Sequence, residues 1–97
     1  MLIDKGFSQG DVVSVKLVGG EEIIARYESE TATELKISKP LAITLGAQGG
    51  LGMIPWIFLA DTTQDVKIKQ GAVAAIAKPK KDAADQYMQS TTGIAMA

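Results

Sequence analysis

Between Asp11 and Glu28 apolar side chains fall at every second position on either side of a glycine pair, and this pattern constrains the fold more than any other feature. Val13, Val15 and Leu17 share one face while Ser14 and Lys16 take the other, the period of two that marks a half-buried strand. Gly19-Gly20 follows. Glycine supplies the positive φ of a tight two-residue hairpin turn, so the next run is predicted to pair antiparallel with the first. In that run Ile23, Ala25 and Tyr27 face opposite to Ile24, Arg26 and Glu28.

The polar stretch from Ser29 to Thr33 reads as a second turn, after which Leu35, Ile37, Leu41, Ile43 and Leu45 recur at even spacing as a third strand. Pro40 cannot donate to a ladder and marks a bend in that strand, of the kind a small barrel needs to close. Residues 46–52 are rich in glycine and read as a flexible connection. Met53 to Leu59 is apolar throughout except at Pro55, which predicts a fourth strand covered on both faces. Asp61 to Asp65 is a polar turn, Val66 and Ile68 resume a strand, and Val73 to Ala77 forms a short strand that Pro79 ends. Beyond it, Asp82 is a candidate N-cap, and Ala84, Tyr87 and Met88 fall at helical spacing, predicting a helix over about residues 82–90. The tail from Thr91 to Ala97 has little to pack and is expected to fray.

A chain of 97 residues holds one domain, here read as residues 1–97 with the barrel over about 11–77. Aromatic residues are few, so the core is built from Val, Ile, Leu and Ala, a composition that favours strands. There are no cysteines and no histidines, which excludes disulfides, thiolate chemistry, His- or Cys-ligated zinc and imidazole acid-base catalysis. The formal net charge is −1, so any affinity for anions must come from local placement of lysines. The start of the chain lacks the basic and apolar segments of a secretory signal, and the longest apolar run, Leu51 to Ala60, is broken by Gly52 and Pro55 and too short to span a bilayer. The expectation is a protein without membrane contacts, in the cytoplasm.

The spacing resembles the Sm-like (Lsm-type) family, and more narrowly the small Sm-like proteins of marine cyanophages. The first Sm signature is matched approximately by Val13-Ser14-Val15-Lys16-Leu17-Val18-Gly19-Gly20, then Ile24-Ala25-Arg26-Tyr27, then Glu34-Leu35-Lys36-Ile37. Ile68-Lys69-Gln70-Gly71-Ala72-Val73-Ala74-Ala75-Ile76 is similar to the other Sm signature, with its glycine one position late. The resemblance implies an all-β fold: a five-stranded, strongly bent antiparallel Sm-like (SH3-like) barrel, here with a short C-terminal helix. It also implies a cyclic homo-oligomer of five to seven subunits, non-catalytic binding of RNA or single-stranded DNA, and, for a phage protein, residence in the host cytoplasm. The family's base-reading loop carries a stacking side chain and an asparagine, whereas Ser29 to Glu34 has neither, so the expected binding is driven by charge with little sequence selectivity.

In Sm-like rings the segment holding Lys67, Lys69 and Gln70 faces the pore, where one copy per subunit would concentrate positive charge; Lys36 is a further candidate contact. Strand four of one subunit pairs with strand five of the next in that family. This assigns Ile54, Trp56, Ile57, Phe58, Leu59, Val73, Ala75 and Ile76 to the oligomer interface, which also answers the excess of apolar strand surface. Lys39, Lys78, Lys80 and Lys81 read as solvated charges, and Arg26 as a cross-strand ion partner of Glu28 or Glu34. No phosphate-binding glycine fingerprint, calcium loop or placed carboxylate pair is present in the sequence, so neither a cofactor nor a metal nor an enzyme activity is expected. The alternative is a structural or protein-protein interaction module that binds no nucleic acid.

Overall fold

The structure, a computed structural model, describes residues 6–46 and 49–92. Six strands and one helix make up the fold: β1 (Val12–Leu17), β2 (Glu22–Glu30), β3 (Glu34–Leu45), β4 (Leu51–Pro55), β5 (Val66–Lys69), β6 (Val73–Ala77) and α1 (Lys81–Thr92), with a 3₁₀ turn at Gln70–Ala72 between β5 and β6. All pairings are antiparallel, in the order β4-β3-β2-β1-β6, and β5 pairs with the first half of β3.

The alternation read from the sequence sets the two faces. Val13 pairs with Ala25, Val15 with Ile23 and Tyr27 with Ile37, and these join Leu17, Leu35 and Ile68 in one buried cluster. Phe7, Trp56, Val66, Val73 and Ile76 pack against its margin. Ile24 points to the opposite face, is also buried, and lies on the side where α1 docks.

The sheet does not close into the expected five-stranded barrel. Among the described residues no ladder joins β6 to β4 or β5, so the architecture is an open sheet of six strands. The difference begins at the apolar run predicted as one strand over Met53 to Leu59. Here β4 starts earlier, at Leu51, and stops at Pro55, which has no N–H to extend a ladder. Trp56 to Asp65 form a loop, and β5 then runs against the other half of β3. The expected fourth strand is thus cut short at Pro55, the strand expected at Val66 and Ile68 is present as β5, and Phe58 and Leu59 lie exposed in the loop between them.

The predicted bend in β3 is present and has a local cause. Register shifts fall between Ile24 and Arg26 and between Tyr27 and Ser29 on β2, and across the first of them β3 passes through Lys39, whose φ is +49°. Bulges of this kind kink a strand and re-aim its side chains, so Leu41, opposite Ile24, faces the helix side.

The first hairpin differs from the two-residue turn expected of Gly19-Gly20. Leu17 N–H donates to Glu21 O and Gly20 N–H to Leu17 O, so Val18, Gly19 and Gly20 form a three-residue loop. Gly20 has φ +103°, the positive value that lets a turn rejoin a strand through a glycine bulge. The helix also begins earlier than predicted. Lys80 O receives the Ala84 N–H, Lys81 is the first helical residue, and Asp82 therefore lies inside the first turn, where its charge complements the helix dipole. Tyr87 is fully buried beneath α1 and donates from its hydroxyl to Lys39 O at 2.7 Å and to Ser38 O at 3.3 Å, which anchors the helix on the β3 bend. Residues 47–48 of the predicted connection and residues 93–97 of the predicted tail lie outside the described residues, while Thr91 and Thr92 are helical.

Candidate nucleic-acid interface

The β3–β5 ladder brings together three of the four lysine and glutamine candidates. Its register sets Lys36 opposite Lys67 and Glu34 opposite Lys69, while Leu35 and Ile68 face each other in the core. Cross-strand partners share a face, so Lys36, Lys67 and Lys69 stand on the outer face, away from the core. Lys67 and Lys69 are exposed and Lys36 is half-buried.

Arg26 and Glu28 of β2 lie on this same face. The Glu28 carboxylate accepts hydrogen bonds from Gln9 Nε2 at 2.9 Å and Ser38 Oγ at 2.8 Å, and these, with the nearby Arg26 and Lys36, hold it below the usual carboxylate range. Arg26 is not the ion partner predicted for it. Its guanidinium reaches Gly10 O at 3.4 Å and Met88 Sδ at 3.2 Å, bridging the sheet to the helix. The single ion pair among the described residues is Lys81–Asp85, so the lysines of the β3–β5 row have no carboxylate in direct contact. Around the β3–β5 row four cations, Arg26, Lys36, Lys67 and Lys69, therefore stand with two carboxylates, Glu28 and Glu34, while Lys16 and Glu22 oppose each other elsewhere on this face. A locally positive surface results on a chain with net charge −1.

Gln70 is held differently. Its Nε2 donates to Glu30 Oε2 at 2.9 Å, to Thr31 O at 3.0 Å and to Glu34 O at 3.4 Å, so its amide fastens the β5–β6 junction to the β2–β3 turn. Glu30 also accepts from the Tyr27 hydroxyl, and Thr31 Oγ1 closes the turn by accepting from the Thr33 and Glu34 N–H groups. The two loops are brought together, with the amide hydrogens of Gln70 occupied.

The sequence matches no protein-family model and no curated protein.

The interface candidates divide by exposure. Trp56 packs against the core margin and donates from Nε1 to Glu21 Oε2 at 2.8 Å, and Val73 and Ile76 also turn inward. Ile54, Ile57, Phe58, Leu59 and Ala75 face outward, with Phe58 at 75% and Leu59 at 97% exposure. Among the described residues β6 pairs only with β1, and β4 and β5 only with β3, so each end of the sheet presents a strand edge without a ladder partner there. The polar turn after this loop is an Asx turn, in which Asp61 Oδ1 accepts from the Thr63 N–H and hydroxyl. Among the described residues there is no cluster of acidic side chains that could hold a metal ion, and no helix is long and apolar enough to cross a membrane.

Sequence reasoning passed over a cavity of about 240 Å³ between the β3 bend, the 56–65 loop and the end of α1. Its one linear signal is Lys39-Pro40, which marks the bend without revealing the helix residues that complete the wall.

Proposed function

We propose that this protein is a non-catalytic, self-assembling binder of single-stranded nucleic acid, of the Sm-like kind, which holds the phosphate backbone on a row of lysines. The observation that carries the reading is the in-register opposition of Lys36 and Lys67, with Lys69 two residues further along the same face. Like charges directly opposite each other oppose strand pairing, so the arrangement favours an anion that relieves the repulsion. A polyanion does so while releasing counterions, which makes its affinity steeply dependent on salt.

Assembly follows from the two uncovered strand edges and the exposed apolar loop. Unpaired edges are surfaces that natural proteins cover, and β6 of one copy against the β4/β5 margin of the next is a head-to-tail contact that closes as a ring. Repetition of the lysine row in each copy multiplies a charge that one subunit carries only locally. The resemblance to Sm-like proteins points the same way.

Labelled poly-uridine and poly-adenosine strands, titrated against wild type and Lys67→Glu at low salt, test the reading. Binding to both homopolymers by wild type and its loss in Lys67→Glu are expected; indifference of wild type to both strands refutes it. A second reading, a structural module that joins only proteins, is favoured by the exposure of Phe58 and Leu59, and it gains if assembly persists while every strand fails to bind.

A further inference from the structure

The cavity beside the β3 bend combines flat apolar walls with polar groups at its rim. Pro40, Leu41, Pro55, Ile57 and Val66 are among the apolar residues lining it, and Lys39, Asp61, Thr62, Gln64, Ser90 and Thr91 supply ammonium, carboxylate, amide and hydroxyl groups. At about 240 Å³ it exceeds the roughly 150 Å³ that holds a benzene ring and falls short of the roughly 300 Å³ at which drug-sized sites begin. That size suits one planar heterocycle.

Its walls are held in place before any ligand arrives. Two prolines stand on neighbouring steps of the β3–β4 ladder, where Leu41 pairs with Pro55 and the Trp56 N–H donates to Pro40 O. The Tyr87 hydroxyl fixes the Lys39 carbonyl. Thr91 Oγ1 donates to Tyr87 O, which leaves its lone pairs to accept, and Asp61 spends only Oδ1 on its own turn. Among the described residues the side chains of Lys39, Thr62, Gln64 and Ser90 make no hydrogen bond within the protein. Lys39 sits at positive φ directly before a proline, a strained place for a lysine and one that a binding site accounts for.

Position links this cavity to the lysine row. Val66, in its wall, directly precedes Lys67 on β5, and Lys39 lies three residues beyond Lys36 on β3. Leu41 brings the wall of the cavity to the outer face, the face of Lys36 and Lys67, while Val66 reaches it from the core side. We propose that it receives a single nucleobase, splayed out from a strand whose phosphates lie on Lys36, Lys67 and Lys69, with Lys39 on the adjoining phosphate; this rests on the proposed strand binding. Apolar walls stack the base faces, and the Gln64, Thr62 and Ser90 side chains meet its polar edge.

The test compares an oligo-uridine or oligo-adenosine strand with an abasic strand of equal length, on wild type, Ala60→Phe and Gln64→Ala. Ala60→Phe fills the cavity, and Gln64→Ala removes a rim group on an exposed loop with little risk to folding. Wild type is expected to bind the base-bearing strand about tenfold more tightly than the abasic one, a preference that both variants reduce while leaving abasic binding unchanged. Equal affinity of wild type for the two strands overturns the base pocket and leaves the lysine row standing. If neither strand binds at low salt, the proposed strand binding falls and the pocket with it.

Discussion

Lys36 and Lys67 stand directly opposite one another in the β3–β5 ladder, on the face of the sheet turned away from the core. Two ammonium groups in this position cost on the order of a few tenths of a kcal/mol of pairing energy. Leu35 opposite Ile68 and Ile37 opposite Val66 hold the ladder together from the core side in spite of it. The charge is therefore carried by a ladder held from the core side, and the proposed strand of phosphates would meet it without a prior rearrangement.

Tyr87 couples the helix to the bend in β3. Its burial pushes the phenol up to about 12, with Arg26 acting in the other direction. A phenol whose folded value lies above its ordinary 10.0 stays neutral in the fold, so its contribution to stability is complete below pH 10.0 and is lost as pH rises toward about 12. An ultraviolet titration should show one tyrosine ionising near 12 that disappears in Tyr87→Phe. The same variant should lose about 1 kcal/mol in urea unfolding at neutral pH, because the Lys39 carbonyl loses its donor.

Lys39 adopts φ +49°, where a glycine is free of strain. Lys39→Gly should raise unfolding stability by up to about 1 kcal/mol, and Lys39→Val should lower it, since a branched Cβ suits this conformation least. A denaturant midpoint that moves the other way for both variants would show that the bend does not strain the backbone.

Burial and exposure in the apolar set make opposite predictions for neighbouring parts of the chain. Ile37 is fully buried, and Ile37→Ala should cost about 2–5 kcal/mol of folding stability. Leu59→Ser, at 97% exposure, should change folding stability by less than about 0.5 kcal/mol. It should instead lower the mass of the assembly seen by light scattering at fixed concentration.

Gln70 fastens two loops through its amide. Gln70→Ala should cost about 1 kcal/mol in thermal or urea unfolding while leaving the salt dependence of strand binding unchanged. A loss of strand affinity at fixed salt with intact stability would assign Gln70 to the strand instead of to the turn.

Much of the fold was legible because alternation is unambiguous where polar and apolar residues truly alternate. Val13, Val15 and Leu17, then Ile23, Ala25 and Tyr27, disclosed both faces of the first hairpin, and the Ala84, Tyr87 and Met88 spacing disclosed the helix. The run from Met53 to Leu59 was not legible in the same way. Where nearly every residue is apolar there is no period to read, so a strand that stops at Pro55 and an exposed loop give the same pattern. Closure depends on pairings between distant segments, and the pairing of both β4 and β5 with β3 leaves no local mark. Of the candidate site, the lysines were visible as residue types, but the opposition of Lys36 to Lys67 is set by the register of β5 against a distant segment of β3, and the occupation of Gln70 by a turn some forty residues earlier in the chain.

The most direct measurement is the slope of log affinity against log salt for a single-stranded homopolymer, compared between wild type and the Lys36→Gln/Lys67→Gln double variant, with circular dichroism confirming that both are folded. Each phosphate contact on a single strand contributes about 0.7 to that slope, so the account predicts a slope shallower by about 1.4 per engaged pair and weaker binding at low salt. An unchanged slope and affinity in the folded double variant would contradict it.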